Sequence, residues 1–384
     1  SFRIFGGLVA FLSGILNYGI FPAVAARFFI VLLGLPDYWI VAGIEVSVFV
    51  SFVVMLLSTA LFFVFMGGQV AVIVTDWIQG TFANWVFLAV MAYLLWIIPW
   101  SSIELAFEAA PPGKSLTNPF DLGAEEQFNA WYWVIAVIVL FYGMLSWQGT
   151  SGYNASATTP HEAKMANILS GWRFRVLMLV TLVLPICIRA AQVDPQFAGI
   201  AEGIDAVTST QATGAMQAEV RAPAAAALML PSGLLGLFAA ALLGAFISTN
   251  DTYLHSWGSI FIQDVVLPFR KKQLSARAHL WLLRLSILGV AIFAFIFSMV
   301  YTPTQYVAMF LALTGAIFIG GAGSAIIGGL YWSRGTTAGA WSAMISGMLI
   351  SCGGIAAKQL PDDVVTGDGA VFDLVRWARE GVTG

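Results

Sequence analysis

Apolar residues in this chain run in blocks rather than in alternation. Nine stretches, at roughly 4–33, 45–66, 70–99, 131–147, 174–190, 232–262, 279–300, 304–330 and 337–357, meet the requirement of about 20 mainly apolar residues for a spanning helix. Barrel strands would alternate polar and apolar positions, and a run such as 86–98, VFLAVMAYLLWII, does not. Lipid offers no partner for free backbone groups, so the runs are predicted to be helices. The pattern predicts an all-α, polytopic membrane helix bundle with about nine transmembrane helices. Several spans carry residues that break helices or free carbonyls: Gly19 to Pro22, Gly67 and Gly68, Gly149 to Gly152, and Gly320 to Gly323. Irregular backbone at membrane depth survives only where protein or a water-filled cavity covers it. That feature points to a transporter.

Composition closes off the alternatives. Of 384 residues 59% are hydrophobic and 10% charged, against about 25% charged in an ordinary soluble domain. A single core stops growing beyond about 250–300 residues, so a water-soluble globule is excluded and the bilayer is the expected solvent. The net charge of −3 leaves no basic stripe for nucleic acid. Cys187 and Cys352 lie in apolar stretches and read as small core residues rather than a disulfide framework or thiolate metal site. An intramembrane enzyme is not expected, and neither is an enzyme cofactor: His161, His255 and His279 lack metalloprotease spacing, and no nucleophile elbow accompanies them. His255 itself reads as a packing residue. The chain opens at Ser1 without a charged leader, the expectation for a truncated or processed chain.

Basic residues set the orientation. With the start of the first run inside, the inner connections hold Arg3, Lys164, Arg173, Arg175, Arg270, Lys271, Lys272, Arg277 and Arg334, and the outer ones Lys114, Arg189 and Arg221. Lys358, Arg376 and Arg379 in the tail add to the outside and weaken the bias. The outer segments 100–130 and 191–231 read as long loops rich in Pro, Ala, Gly, Thr and Ser. Residues 1–357 are expected to form the membrane core and 358–384 an extracytoplasmic tail. Arg27, late in the first span, is expected to snorkel to the outer interface, and Arg284 inward.

Two stretches carry candidate chemistry. In 236–264, GLFAAALLGAFISTNDTYLHSWGSIFIQD, an apolar helix turns polar in its second half. Hard cations want oxygen ligands, and the hydroxyls of Ser248 and Thr249 with the carbonyl of Ala245, one turn earlier, offer three. The alternative is that the hydroxyls bond back to the i−4 carbonyl or tie helices together. Asp251 is either an intramembrane carboxylate, functional by default, or a residue at the cytoplasmic interface. In 66–80, MGGQVAVIVTDWIQG, Asp76 and Gln79 stand three apart and share a helix face. Asp76 is either on a cation exit path or a helix-start carboxylate stabilised by the macrodipole. Weaker candidates for a solute path are Tyr142, Ser146, Trp147 and Gln148, where the fourth span turns polar, and Thr314; each is equally readable as packing.

These stretches resemble motifs of the sodium:solute symporter family. GGQVAVIVTDWIQ is similar to its Gly-Gly…Ala-Val…Thr-Asp…Gln signature, and ISTNDTYLHSWGSIFIQD to its later helix with a Ser-Ser or Ser-Thr pair. Gln148 with Glu162-Ala163, and GGLYWSRGTTAGAWSAMISG at 328–347, match two further motifs in the same order. The resemblance implies the inverted-repeat fold of LeuT-type transporters, with solute and sodium bound near the midplane. In that frame the spans are core helices three to ten plus one added helix, the first two core helices being absent, so the isolated chain is not expected to transport. It implies sodium at Ala245, Ser248 and Thr249, and Asp76 near the sodium exit. The implied function is secondary active transport, coupling sodium influx to uptake of a small organic solute in the lipid bilayer, by expectation a bacterial inner membrane. Sodium is the only metal expected. Two departures matter. Residues 152–158, GYNASAT, lack the two basic residues of the family loop, and Ala312 and Gly143 stand where sugar-transporting members carry Gln and Tyr, so a sugar is not supported. The alternative reading is a transport-inactive membrane sensor or scaffold that keeps the fold.

Overall fold

The structure, a computed structural model, describes residues 1–124, 128–272 and 274–359. The expected tail lies outside the described residues from 360 onward. Nearly every element is a helix, and the helices separate into two compact units.

Among the described residues the first unit comprises 1–17, 110–124, 128–148 and 308–359. Its helices are α1 (Phe2–Tyr18), α5 (Ala130–Ser146), α12 (Val307–Tyr331) and α13 (Thr337–Gln359). Contrary to the expectation from sequence, Gly320 to Gly323 do not interrupt their span; α12 runs straight through them. Close packing uses them instead. A Cβ on Gly321 would lie 2.5 Å from the Ala343 oxygen, one on Gly347 2.3 Å from the Gly321 nitrogen, and one on Gly323 2.2 Å from the Tyr142 ring. Small residues let backbones approach where lipid supplies no hydrophobic drive.

The second unit comprises residues 18–109 and 149–307. It holds α2 (Phe21–Leu32), α3 (Val48–Ile97), α4 (Trp100–Glu108), α6 (Ser151–Ala155), α7 (Pro160–Val193), α8 (Ala198–Thr208), α9 (Gly214–Met229), α10 (Ser232–Ile260) and α11 (Ala276–Val300). Its core gathers Leu94, Cys187, Ala190, Ala191, Ile204 and Ala241, all fully buried. Two of the breaks foreseen here, at Gly19 to Pro22 and at Gly67-Gly68, are present and each has a side chain to cover it. Between α1 and α2 the Gly19 carbonyl accepts the Ser298 hydroxyl at 3.2 Å. The runs 45–66 and 70–99 join in the 50-residue α3, kinked at Gly68, whose φ of 54° and ψ of −149° suit glycine. There Arg284, rather than snorkelling inward, donates to the Phe65 carbonyl at 3.1 Å.

Among the described residues seven helices are long and apolar enough to span a membrane, or eight with the broken segment α5–α6; the difference from nine arises from the continuity of α3 and from that break. Two further features escape the apolar-block pattern. The outer segment 191–231 is not a loop but carries α8 and α9. Residues 38–47 form a hairpin of β1 (Tyr38–Val41) and β2 (Ile44–Ser47), whose two-residue turn puts Ala42 at φ 52° and Gly43 at φ 80°. Positive φ at both turn positions matches the twist of the flanking strands.

Candidate functional site

The cation candidates all fall in the second unit, on facing stretches of α3 and α10. Beyond the Gly68 kink, Asp76 and Gln79 point toward α10. Gly244 makes room: a Cβ there would sit 3.4 Å from the Gln79 Cγ. One turn on stands Ser248, on the same face of α10 as Gly244. A further turn brings Thr252, whose hydroxyl lies 3.4 Å from Asp76 Oδ2. Ser248, Asp251 and Thr252 are three and four residues apart, so one face of α10 carries them all.

Tyr153, on the short helix α6, completes this cluster. Its hydroxyl donates to Asp76 Oδ2 and lies 2.6 Å from the Thr252 hydroxyl. Gly152 permits the approach, since a Cβ there would meet the Gln69 amide at 3.1 Å. Sequence reasoning missed Tyr153 because it sits in the loop stretch that departs from the family pattern. Thr252 was findable from the i, i+4 spacing to Ser248.

Four acceptor atoms along this face have no hydrogen-bond partner: Asp76 Oδ1, Gln79 Oε1, and both carboxylate oxygens of Asp251. Asp251 is wholly inaccessible, and so is its neighbour Asn250, whose Oδ1 accepts the Tyr18 hydroxyl at 3.0 Å. No basic side chain pairs with either carboxylate among the described residues. Burying a carboxylate without a compensating charge costs several kcal/mol, so an oxygen-seeking cation fits this donor set. Asp251 is thus enclosed by protein. Thr249 does make the back-bond weighed from sequence, donating to the Ala245 carbonyl at 2.9 Å. That bond uses the hydroxyl proton and leaves lone pairs on its oxygen, while holding it beside the Ala245 oxygen.

The solute-path candidates all fall in the first unit, where they bond to protein. Tyr142 donates to the Gly320 carbonyl at 3.1 Å and lies 2.9 Å from the Ser324 hydroxyl. Ser146 donates to the Tyr142 carbonyl at 2.8 Å, and Gln148 to that of Ser146 at 3.0 Å. The Thr314 hydroxyl donates to the Phe310 carbonyl at 2.7 Å and accepts from Asn17 Nδ2 at 2.9 Å. Trp147 stands within 3.9 Å of a Cβ position on Gly315.

Arg27 is a correction to the snorkelling expectation. Its Nε donates to Glu219 Oε2 on α9 at 2.7 Å, with side chains only 14% and 6% exposed. The partner lies 192 residues away in sequence, so no local pattern announced it.

Comparison with known proteins bears on the family and the fold. No curated protein matches the sequence. Among 22 matching chains of solved structures, one is the substrate-bound outward-open state of a Na+-coupled sialic acid symporter. It is 19% identical with a TM-score of 0.56, over 91% of this chain and 74% of the other. That likeness shows the fold, a bundle of long apolar helices. The profile of the sodium:solute symporter family matches residues 36–347, and with seven spanning helices this is an integral membrane protein. The chain belongs to the sodium:solute symporter family.

Proposed function

We propose that the protein is a secondary active transporter in which sodium influx drives uptake of a small organic solute, the cation moving along the α3–α10 face. Ala245, Ser248 and Thr249 hold sodium, the Asp76 carboxylate receives it, and Asp251 lies at the next turn. The observation that carries this reading is the row of buried acceptors without donors, Gln79 Oε1, Asp76 Oδ1 and the Asp251 carboxylate. Sodium is the cargo here, and the residues present offer it hydroxyl, carbonyl and carboxylate oxygens. Coupling arises when sodium binds one conformation more tightly than the other, so that its release inside is tied to the solute's. Within this reading residues 1–357 are the transporter core, and Trp147 and Gln148, where α5 ends, border the solute path.

Tyr153 weighs against a transport-inactive sensor. The loop that lacks the family's basic residues has not drifted free; it supplies a hydroxyl to Asp76. The test is thermal unfolding of the full-length protein in sodium chloride against potassium chloride. A ligand at about 100 times its Kd stabilises by about 2.7 kcal/mol, so sodium is expected to raise the melting temperature and potassium to leave it unmoved. Identical unfolding in the two salts contradicts the proposal.

A further inference from the structure

The β1–β2 hairpin plays no part in the cation face, yet its pattern is specific. The register pairs Trp39 with Val46 and Val41 with Ile44, and, on the opposite face, Tyr38 with Ser47 and Ile40 with Glu45. Side chains alternate across a strand, so one face is wholly apolar and the other mixed. Protein leaves most of the apolar face open: Trp39 is 39% exposed, Val41 56% and Ile44 67%, while Val46 is half-buried. An isolated two-stranded hairpin is marginal in water, and this one would leave its apolar face wet.

Its position identifies what covers that face. The preceding spanning helix ends at Leu32, and Val48, the first residue of the next, donates its amide to the Asp37 carbonyl at 3.0 Å. Ser47 caps that same helix. The hairpin is thus held between the ends of two membrane-length helices, and four-residue strands at about 3.3 Å per residue reach only about 13 Å from those ends. Its open strand edges carry unpaired backbone groups, which bars it from the hydrocarbon but suits the hydrated headgroup layer. Residues 33–47 contain Asp37 and Glu45 and no Lys or Arg, so nothing recruits anionic lipid.

We propose that the hairpin lies along the membrane–water interface with Trp39, Val41, Ile44 and Val46 turned into a zwitterionic lipid surface and Ile40 and Glu45 turned to water. The hairpin then anchors the junction of α2 and α3, as interfacial aromatics anchor helix ends. This rests on the chain being a membrane protein and not on the sodium reading.

The test uses the full-length protein in phosphatidylcholine nanodiscs, one copy per disc. Cys187 is buried and Cys352 exposed, so Cys352→Ala removes the reactive background. An environment-sensitive fluorophore is then placed through Val41→Cys, Ile44→Cys, Ile40→Cys or Glu45→Cys, all exposed positions. Nitroxide-bearing lipid is expected to quench the label at 41 and 44 several-fold more than at 40 and 45, which aqueous iodide reaches instead. Added phosphatidylserine should leave that alternation unchanged. Equal iodide quenching at all four positions overturns the proposal. So does protection that arises only with two copies per disc, which would assign the face to a second copy of the chain.

Discussion

Polar groups are buried in both units, but they are used differently. In the first unit Ser13, Asn17, Ser146 and Thr314 are all bonded: Ser13 donates to the Thr314 carbonyl at 2.7 Å and Asn17 Nδ2 to the Leu311 carbonyl at 2.8 Å. Among the described residues of that unit, no buried side-chain polar atom lacks a partner. In the second unit the α3–α10 face leaves two carboxylates and an amide oxygen short of donors. Buried polar groups are normally satisfied, so the first pattern reads as helix glue, and the second is the departure on which the proposed cation route rests. The Arg27–Glu219 pair supplies the control, because it is buried charge in the same unit that protein itself compensates.

The largest effect tests that control. Glu219→Gln orphans Arg27, and breaking one partner of a buried pair costs about 3–5 kcal/mol; thermal unfolding in detergent should show the loss in either salt. Asp251→Asn should move stability the other way. It removes an uncompensated charge, so in sodium-free buffer the protein is expected to gain about 1–3 kcal/mol while its sodium-dependent stabilisation shrinks. A loss of stability without sodium would mean that Asp251 has a protein partner after all.

Thr314→Val probes the satisfied unit. It strips Asn17 Nδ2 of one acceptor while Leu311 remains, so about 1 kcal/mol should be lost with sodium dependence unchanged. A shifted sodium requirement would blur the contrast between the units. The smallest effect lies outside the spans, at Asp194. The Ser102 hydroxyl, bonded to its Oδ2 at 2.5 Å, and then the Gln196 amide at 3.0 Å, hold its carboxyl below the ordinary carboxylate value. A depressed folded pKa stabilises above the unfolded value of about 3.9 and loses that contribution as pH falls through the lower folded one. Asp194→Asn should therefore remove that small contribution at neutral pH, leave stability in strong acid nearly unchanged, and so flatten the acid limb of a stability–pH curve slightly.

Much of this was legible in the sequence because lipid makes helix and apolar block equivalent. Gly67-Gly68 announced the kink in α3, and the three-residue spacing of Asp76 and Gln79 put both on one face, which the structure turns toward α10. The features that were not legible depend on distant or non-periodic partners. Glu219 sits on α9, within an Ala- and Pro-rich stretch that carries no apolar block, so neither the helix nor its charge stood out. Tyr153 looked like loop drift until α6 placed it against Asp76. Gly320 to Gly323 read as a break because glycine serves close packing and unwinding alike, and only the neighbouring Gly347 and Tyr142 decide which.

The most direct test is equilibrium binding of radioactive sodium to the purified full-length protein, comparing wild type, the Ser248→Ala/Thr249→Ala double variant and Thr314→Val. The account predicts sodium affinity at least about tenfold weaker in the double variant, about 1.4 kcal/mol or more, and unchanged in Thr314→Val. Equal affinity in wild type and the double variant would contradict it.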